Sequence, residues 1–145
     1  MNNKGFTMVE ILGVTVLLGI LMSVAIGGVV IYKDKAAQQA YDTMAKSSMN
    51  AAKNYMIDYP SKKVNVGEYE TFDILDLYNG QYLERPADPK DEGKLCKGEV
   101  KAILSSKGAG GASLQEYRYE VKICCANYSK LYKYPEGTVT ATTCS

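Results

Sequence analysis

Glu10 is the residue whose placement in this chain asks for chemistry. It stands between a short leader, Met1-Asn2-Asn3-Lys4-Gly5, and residues 11–32, which carry no charged side chain. An apolar helix of roughly 20 residues crosses a hydrocarbon core, and an unpaired carboxylate in that core costs on the order of 3 kcal/mol or more. Such an acid calls for a cation. Hydrolysis of the peptide bond between Gly5 and Phe6 would create one, the α-amine of Phe6, four residues from Glu10. Other reactive groups are few. Histidine is absent, which removes the commonest general base and the commonest metal ligand together. A formal net charge of +1 marks neither a strongly basic nucleic-acid surface nor an acidic tail, and leaves contact with nucleic acid open.

The second reactive set is Cys96, Cys124, Cys125 and Cys144, all outside the apolar run. Four cysteines allow three complete pairings. Adjacent strand residues point to opposite faces, so a Cys124–Cys125 bond needs unusual geometry. The expected arrangement joins Cys96 to one of the adjacent pair and Cys144 to the other, with the assignment open. Each bond of this kind adds about 2–4 kcal/mol. A zinc site lacks its usual C-x₂₋₄-C spacing, and a catalytic cysteine has no histidine to activate it. Glu84, Asp88, Asp91 and Glu92 offer the oxygen ligands calcium prefers, but without EF-hand spacing they read as a solvated loop. No metal, cofactor or catalytic residue is expected. Asn127-Tyr128-Ser129 fits the glycosylation triplet, a motif too frequent by chance to carry an argument.

The elements that position these groups begin with a helix from about residue 6 to residue 59. Ala37, Tyr41, Met44, Ser48, Ala52, Tyr55 and Tyr59 recur at three- and four-residue steps and define one face. Residues 33–59 hold neither proline nor glycine, and Pro60 supplies the stop. Residues 61–70 read as a loop turning at Gly67. Phe72, Ile74, Leu75, Leu77 and Tyr78 suggest a short helix capped by Thr71 or Asp73 and ended by Asn79-Gly80.

Strand patterns follow. Val100, Ala102 and Leu104 alternate with polar neighbours, interrupted at Ile103, and Tyr117, Tyr119, Val121 and Ile123 alternate strictly with charged ones. The glycine-rich residues 106–113 between them read as a hairpin loop. A third strand falls at 130–133 or at 138–143, where threonine and valine suit a sheet, with Pro135-Glu136-Gly137 as the preceding turn. The expected fold class is α+β, a long N-terminal helix on a small antiparallel head. The twelve tyrosines, set against no tryptophan, are read mainly as helix-stripe and strand-face residues with a phenol for partly wet interfaces.

Two ordinary readings compete for the N-terminus. Ser23-Val24-Ala25 resembles a small-residue signal-peptidase site, though one lysine makes a poor leader. A plain anchor is the other, and Lys33 and Lys35 after the span oppose the positive-inside rule for an external C-terminal domain. The more specific pattern is Gly5-Phe6-Thr7-Met8-Val9-Glu10 followed by the apolar helix. It resembles the class III signal of type IV pilins and the related pseudopilins.

That resemblance implies cleavage after Gly5 by prepilin peptidase, N-methylation of Phe6, and pairing of Glu10 with the Phe6 amine of a neighbouring subunit. It implies a leader at 1–5, a transmembrane or assembly segment at 6–32 and an extracellular head at 33–145. Many relatives carry a proline near position 27, where this chain has Gly27-Gly28, so Gly19, Gly27 and Gly28 become the candidates for local melting on assembly. The implied function is a filament subunit, a major pilin before a minor pilin or a secretion or competence pseudopilin. Its implied partners are other pilin subunits, prepilin peptidase, the membrane assembly platform with its ATPase, and lipid before assembly. A monomeric membrane-tethered binding module is the alternative from a different class.

Overall fold

The computed structural model describes residues 7–107 and 114–144, without the side chains of residues 24–30, 106–107 and 114–115. The chain divides into two compact units, residues 1–38 and 39–145. Helix α1, Met8–Asp58, contributes to both. In the first unit its large apolar side chains are exposed, from Met8 and Val9 to Leu21 and Met22. The polar groups of that stretch close on their own helix: Thr15 Oγ1 donates to the Leu12 carbonyl at 2.9 Å and Ser23 Oγ to the Ile20 carbonyl at 2.7 Å. An α-helix pairs its interior backbone polar groups within itself, the form an apolar surrounding requires.

The second unit is an α+β head. A five-stranded antiparallel sheet is built in the order β1 (Tyr69–Asp73), β4 (Lys97–Lys107), β5 (Leu114–Cys125), β6 (Tyr128–Tyr134) and β7 (Thr138–Ala141). A separate two-stranded sheet pairs β2 (Ala87–Asp88) with β3 (Asp91–Leu95). The helix residues of this unit pack on the larger sheet. Tyr41, Ala45, Ser48, Ala52 and Met56, at steps of four, three, four and four, are all buried. Beneath them Val100 faces Val121 across one strand pair and Val121 faces Tyr132 across the next, each buried.

The stripe differs from the expected one at its edges. Met44 and Tyr55 are half-buried, and Tyr59 is 49 % exposed. The helix ends at Asp58, and Tyr59 precedes the 3₁₀ turn Pro60–Lys62 with φ −118° and ψ 81°. Outside the helix, the i+4 step from Tyr55 no longer applies, so Met56 supplies the last buried position. The Tyr59 ring instead lies on Tyr55, with centroids 4.6 Å apart.

Phe72 is likewise on a strand, not in the short helix. Helix α2, Ile74–Asn79, starts one residue after Asp73, whose Oδ1 accepts the Leu75 N–H at 2.7 Å. Gly80 caps its C-terminus. The two candidate regions for a third strand both form strands, β6 and β7, because residues 135–137 turn the chain back antiparallel. Ser106 and Lys107 belong to β4, while residues 108–113 of the expected loop lie outside the described residues. Gly98 permits the close β4–β5 approach: its φ is +153°, and a Cβ there would stand 1.9 Å from the Lys122 carbonyl oxygen.

Candidate processing and assembly site

Gly5 and Phe6 lie outside the described residues. Thr7 is the first described residue, and it forms a reciprocal cap with Glu10. Glu10 Oε2 accepts the Thr7 amide N–H at 3.0 Å and the Thr7 hydroxyl at 3.1 Å, and the Glu10 N–H reaches Thr7 Oγ1 at 3.4 Å. Thr7-Met8-Val9-Glu10 is therefore a capping box, in which threonine and glutamate three residues apart satisfy otherwise unpaired donors at a helix start. A carboxylate in the first helical turn also opposes the positive end of the helix dipole. Glu10 Oε1 has no partner among the described residues. The sequence reading singled out Glu10 and missed Thr7, although the T-x-x-E signature before an apolar run was there to find it.

Gly19, Gly27 and Gly28 all lie inside α1 and are helical. A Cβ on Gly19 would meet nothing within 4 Å, so packing within this chain does not require glycine there. Among the described residues no helix is long and apolar enough to cross a membrane. The described side chains of the run are those of residues 11–23 and 31–32, and neither piece reaches the roughly 20 residues a span needs.

In the head the cysteines form two disulfides, Cys96–Cys125 and Cys124–Cys144. Cys124 and Cys125 occupy neighbouring positions on β5 and so leave the strand in opposite directions. Cys96 is fully buried, whereas Cys144 is exposed.

Asp88 corrects the reading of residues 84–93 as a solvated loop. The Asp88 side chain is 1 % exposed and joins three segments. Its Oδ1 accepts the Tyr41 hydroxyl at 2.7 Å and the Lys90 N–H at 2.9 Å, and its Oδ2 accepts the Ala126 N–H at 3.2 Å. Burial pushes its pKa up. The Lys90, Tyr41 and Ala126 donors, with Lys94 nearby, outweigh burial and hold the carboxyl below its ordinary value. Tyr41 responds in the opposite sense, its phenol pushed well above the usual range by burial and by Asp88.

Around this acid Tyr41 stacks on Tyr128 with centroids 3.7 Å apart, Tyr128 shares a hydrogen bond with Tyr132, and Tyr132 donates to Asp42 Oδ1 at 2.9 Å. One ligand atom each from Asp88, Cys96 and Cys125 falls within 4.8 Å of the others. Those sulfurs are bonded to one another, so neither is a thiolate ligand.

Residues 1–31 match the family model described as the prokaryotic N-terminal methylation motif, the class III signal peptide of type IV pilin-like proteins. The fold is of the same kind: an N-terminal helix packed on an antiparallel sheet with two disulfides, a type IV pilin-like arrangement. The motif supports a pilin-like or pseudopilin substrate of prepilin peptidase and is consistent with a membrane-anchored precursor. Comparison with curated proteins and with solved structures finds no match to either.

Proposed function

We propose that this chain is a structural, non-enzymatic subunit of a type IV pilus-like surface filament, a major pilin in preference to a minor pilin or pseudopilin. The observation that carries the reading is the methylation motif at residues 1–31. Prepilin peptidase removes residues 1–5, freeing and methylating the Phe6 amine, and residues 6–32 hold the subunit in lipid with residues 33–145 outside. An assembly platform driven by its ATPase then transfers the helix from lipid to other subunits, with local melting at Gly19, Gly27 and Gly28. The exposed apolar surface from Met8 to Met22 is exchanged from lipid contacts to helix contacts, individually small and collectively large.

The capping geometry supports the role of Glu10. Thr7 retains its amide N–H after a cut between Gly5 and Phe6, because that N–H belongs to the Phe6–Thr7 bond. The cap therefore survives maturation. It holds the carboxylate in one orientation and leaves Oε1 for the Phe6 amine of a neighbour, a pairing that offsets the cost of burying both charges.

The test is intact and fragment mass spectrometry, without reduction, of filaments sheared from cells expressing the chain. The expected species begins at methylated Phe6 with all four cysteines oxidised. Protein confined to membranes and still beginning at Met1, or beginning at Ile26, would contradict the reading.

A further inference from the structure

Lys53, Met56 and Ile57 at the end of α1, Lys63 after the 3₁₀ turn, and Tyr117 and Tyr119 on β5 enclose an open trough of about 360 Å³. Its composition is one-sided. The lining is apolar apart from two ammonium groups and two phenols, and it contains no carboxylate. Ile57 is 68 % exposed at its edge although it sits beside a buried methionine. Tyr119 is 4 % exposed, and its hydroxyl, which makes no hydrogen bond among the described residues, opens to solvent. The Lys53 ammonium lies 5.1 Å from the centre of the Tyr119 ring, and Lys63 makes no ion pair among the described residues. The Tyr119 phenol is pushed up to about 12 by burial and by Tyr117, so it stays protonated and able to donate at neutral pH.

We propose that this trough is a binding site for a small amphiphilic anion, an aromatic carboxylate being the chemical class that fits. A flat apolar body covers Met56, Ile57 and the tyrosine ring faces, removing exposed apolar surface from water. The carboxylate lies between Lys53 and Lys63 and accepts the Tyr119 hydroxyl in place of solvent. The volume falls within the range of small-molecule sites, and apolar walls with a few convergent polar groups are their usual composition. Because both ammonium groups are near the surface, the charge contribution weakens as salt rises.

The test uses the full chain in nanodiscs of phosphatidylcholine, with 2-naphthoate as the probe and ¹³C-methyl methionine NMR as the readout. Empty nanodiscs correct for partition into lipid. The expected result is a saturable shift of the Met56 methyl, absent at Met22, with a dissociation constant of about 1 mM, ordinary for a ligand of that size. Lys53→Gln and Lys63→Gln should each weaken binding about fivefold, and Tyr119→Phe by a similar factor. The neutral 2-naphthalenemethanol should bind at least fivefold more weakly than the acid. A Glu10→Ala chain should bind as the parent does, which keeps this result separate from any failure of assembly. A Met56 methyl that does not saturate overturns the site. So does equal binding of the neutral alcohol, or unchanged affinity in both lysine variants.

Discussion

Thr7 and Glu10 hold each other at the start of α1, the threonine supplying two donors to one carboxylate oxygen and receiving the glutamate N–H in return. The pair makes the acid part of the helix before any neighbour is present. Thr7→Val removes the hydroxyl and should cost about 1 kcal/mol at the helix start, with Thr7→Ser close to the parent. Amide exchange of residues 8–10 in nanodiscs is the check: it should quicken in the valine variant and not in the serine variant. Glu10→Ala should leave a processed, membrane-held chain that does not enter filaments, read as sheared protein against membrane protein. Normal filament yield would remove the assembly role.

Asp88 sets an acid limit on the head. Its folded-state pKa is depressed below the ordinary carboxylate value of about 3.9. Its contribution is therefore complete above that value and is lost as pH falls through the folded-state pKa. Asp88→Asn should cost about 2–3 kcal/mol at pH 7, and the gap between parent and variant should close as the solution approaches pH 2. Urea unfolding followed by near-ultraviolet circular dichroism measures it. A gap that stays constant from pH 7 to pH 2 would show that the charge of Asp88 is not what matters.

Much of the architecture follows from patterns that are local in the chain. Strict alternation through Tyr117, Tyr119, Val121 and Ile123 is enough to identify β5, and Pro60 is enough to end α1 near Asp58. Tyr69–Asp73 escaped because a five-residue strand with two acids has little periodicity, and Phe72 sits equally well in the pattern of the helix that follows. The hairpin of β2 and β3 escaped for a different reason. Asp88 is surrounded in sequence by prolines and charges, and the groups that make it a buried residue, Tyr41 and Ala126, are 47 and 38 positions away. No local pattern carries that information. At the N-terminus, by contrast, both members of the cap are three residues apart, and the signal was present but unread.

Ser48 is a fully buried hydroxyl with no hydrogen-bond partner among the described residues. Burying such a group without a partner costs roughly 1–3 kcal/mol. Ser48→Ala keeps the volume close to that of the neighbouring Ala45 and Ala52 and removes the unpaired group. It should leave stability unchanged or raise it by about 1 kcal/mol, measured by the same urea unfolding. A loss above 1 kcal/mol would mean that the hydroxyl is bonded in solution.

Gly98 should tolerate no side chain. A Cβ at 1.9 Å from the Lys122 carbonyl meets backbone of the paired strand, which cannot turn aside as a flexible side chain does, and the positive φ adds strain. Gly98→Ala should cost at least about 3 kcal/mol or prevent accumulation of the folded head. Unfolding within 1 kcal/mol of the parent would show that β4 and β5 separate there at little cost.

The neighbouring positions of Cys124 and Cys125 have one more consequence. Their bonds lead to environments that differ in access to solvent, Cys96 being fully buried and Cys144 exposed. A thiolate must reach a sulfur to exchange with it. Mild reductant therefore opens Cys124–Cys144 first and loosens the residues that follow β7, while the bond beside Asp88 keeps the β2–β3 hairpin tied to the sheet. Reduction is thus ordered in space, and the surviving bond records how far it has gone.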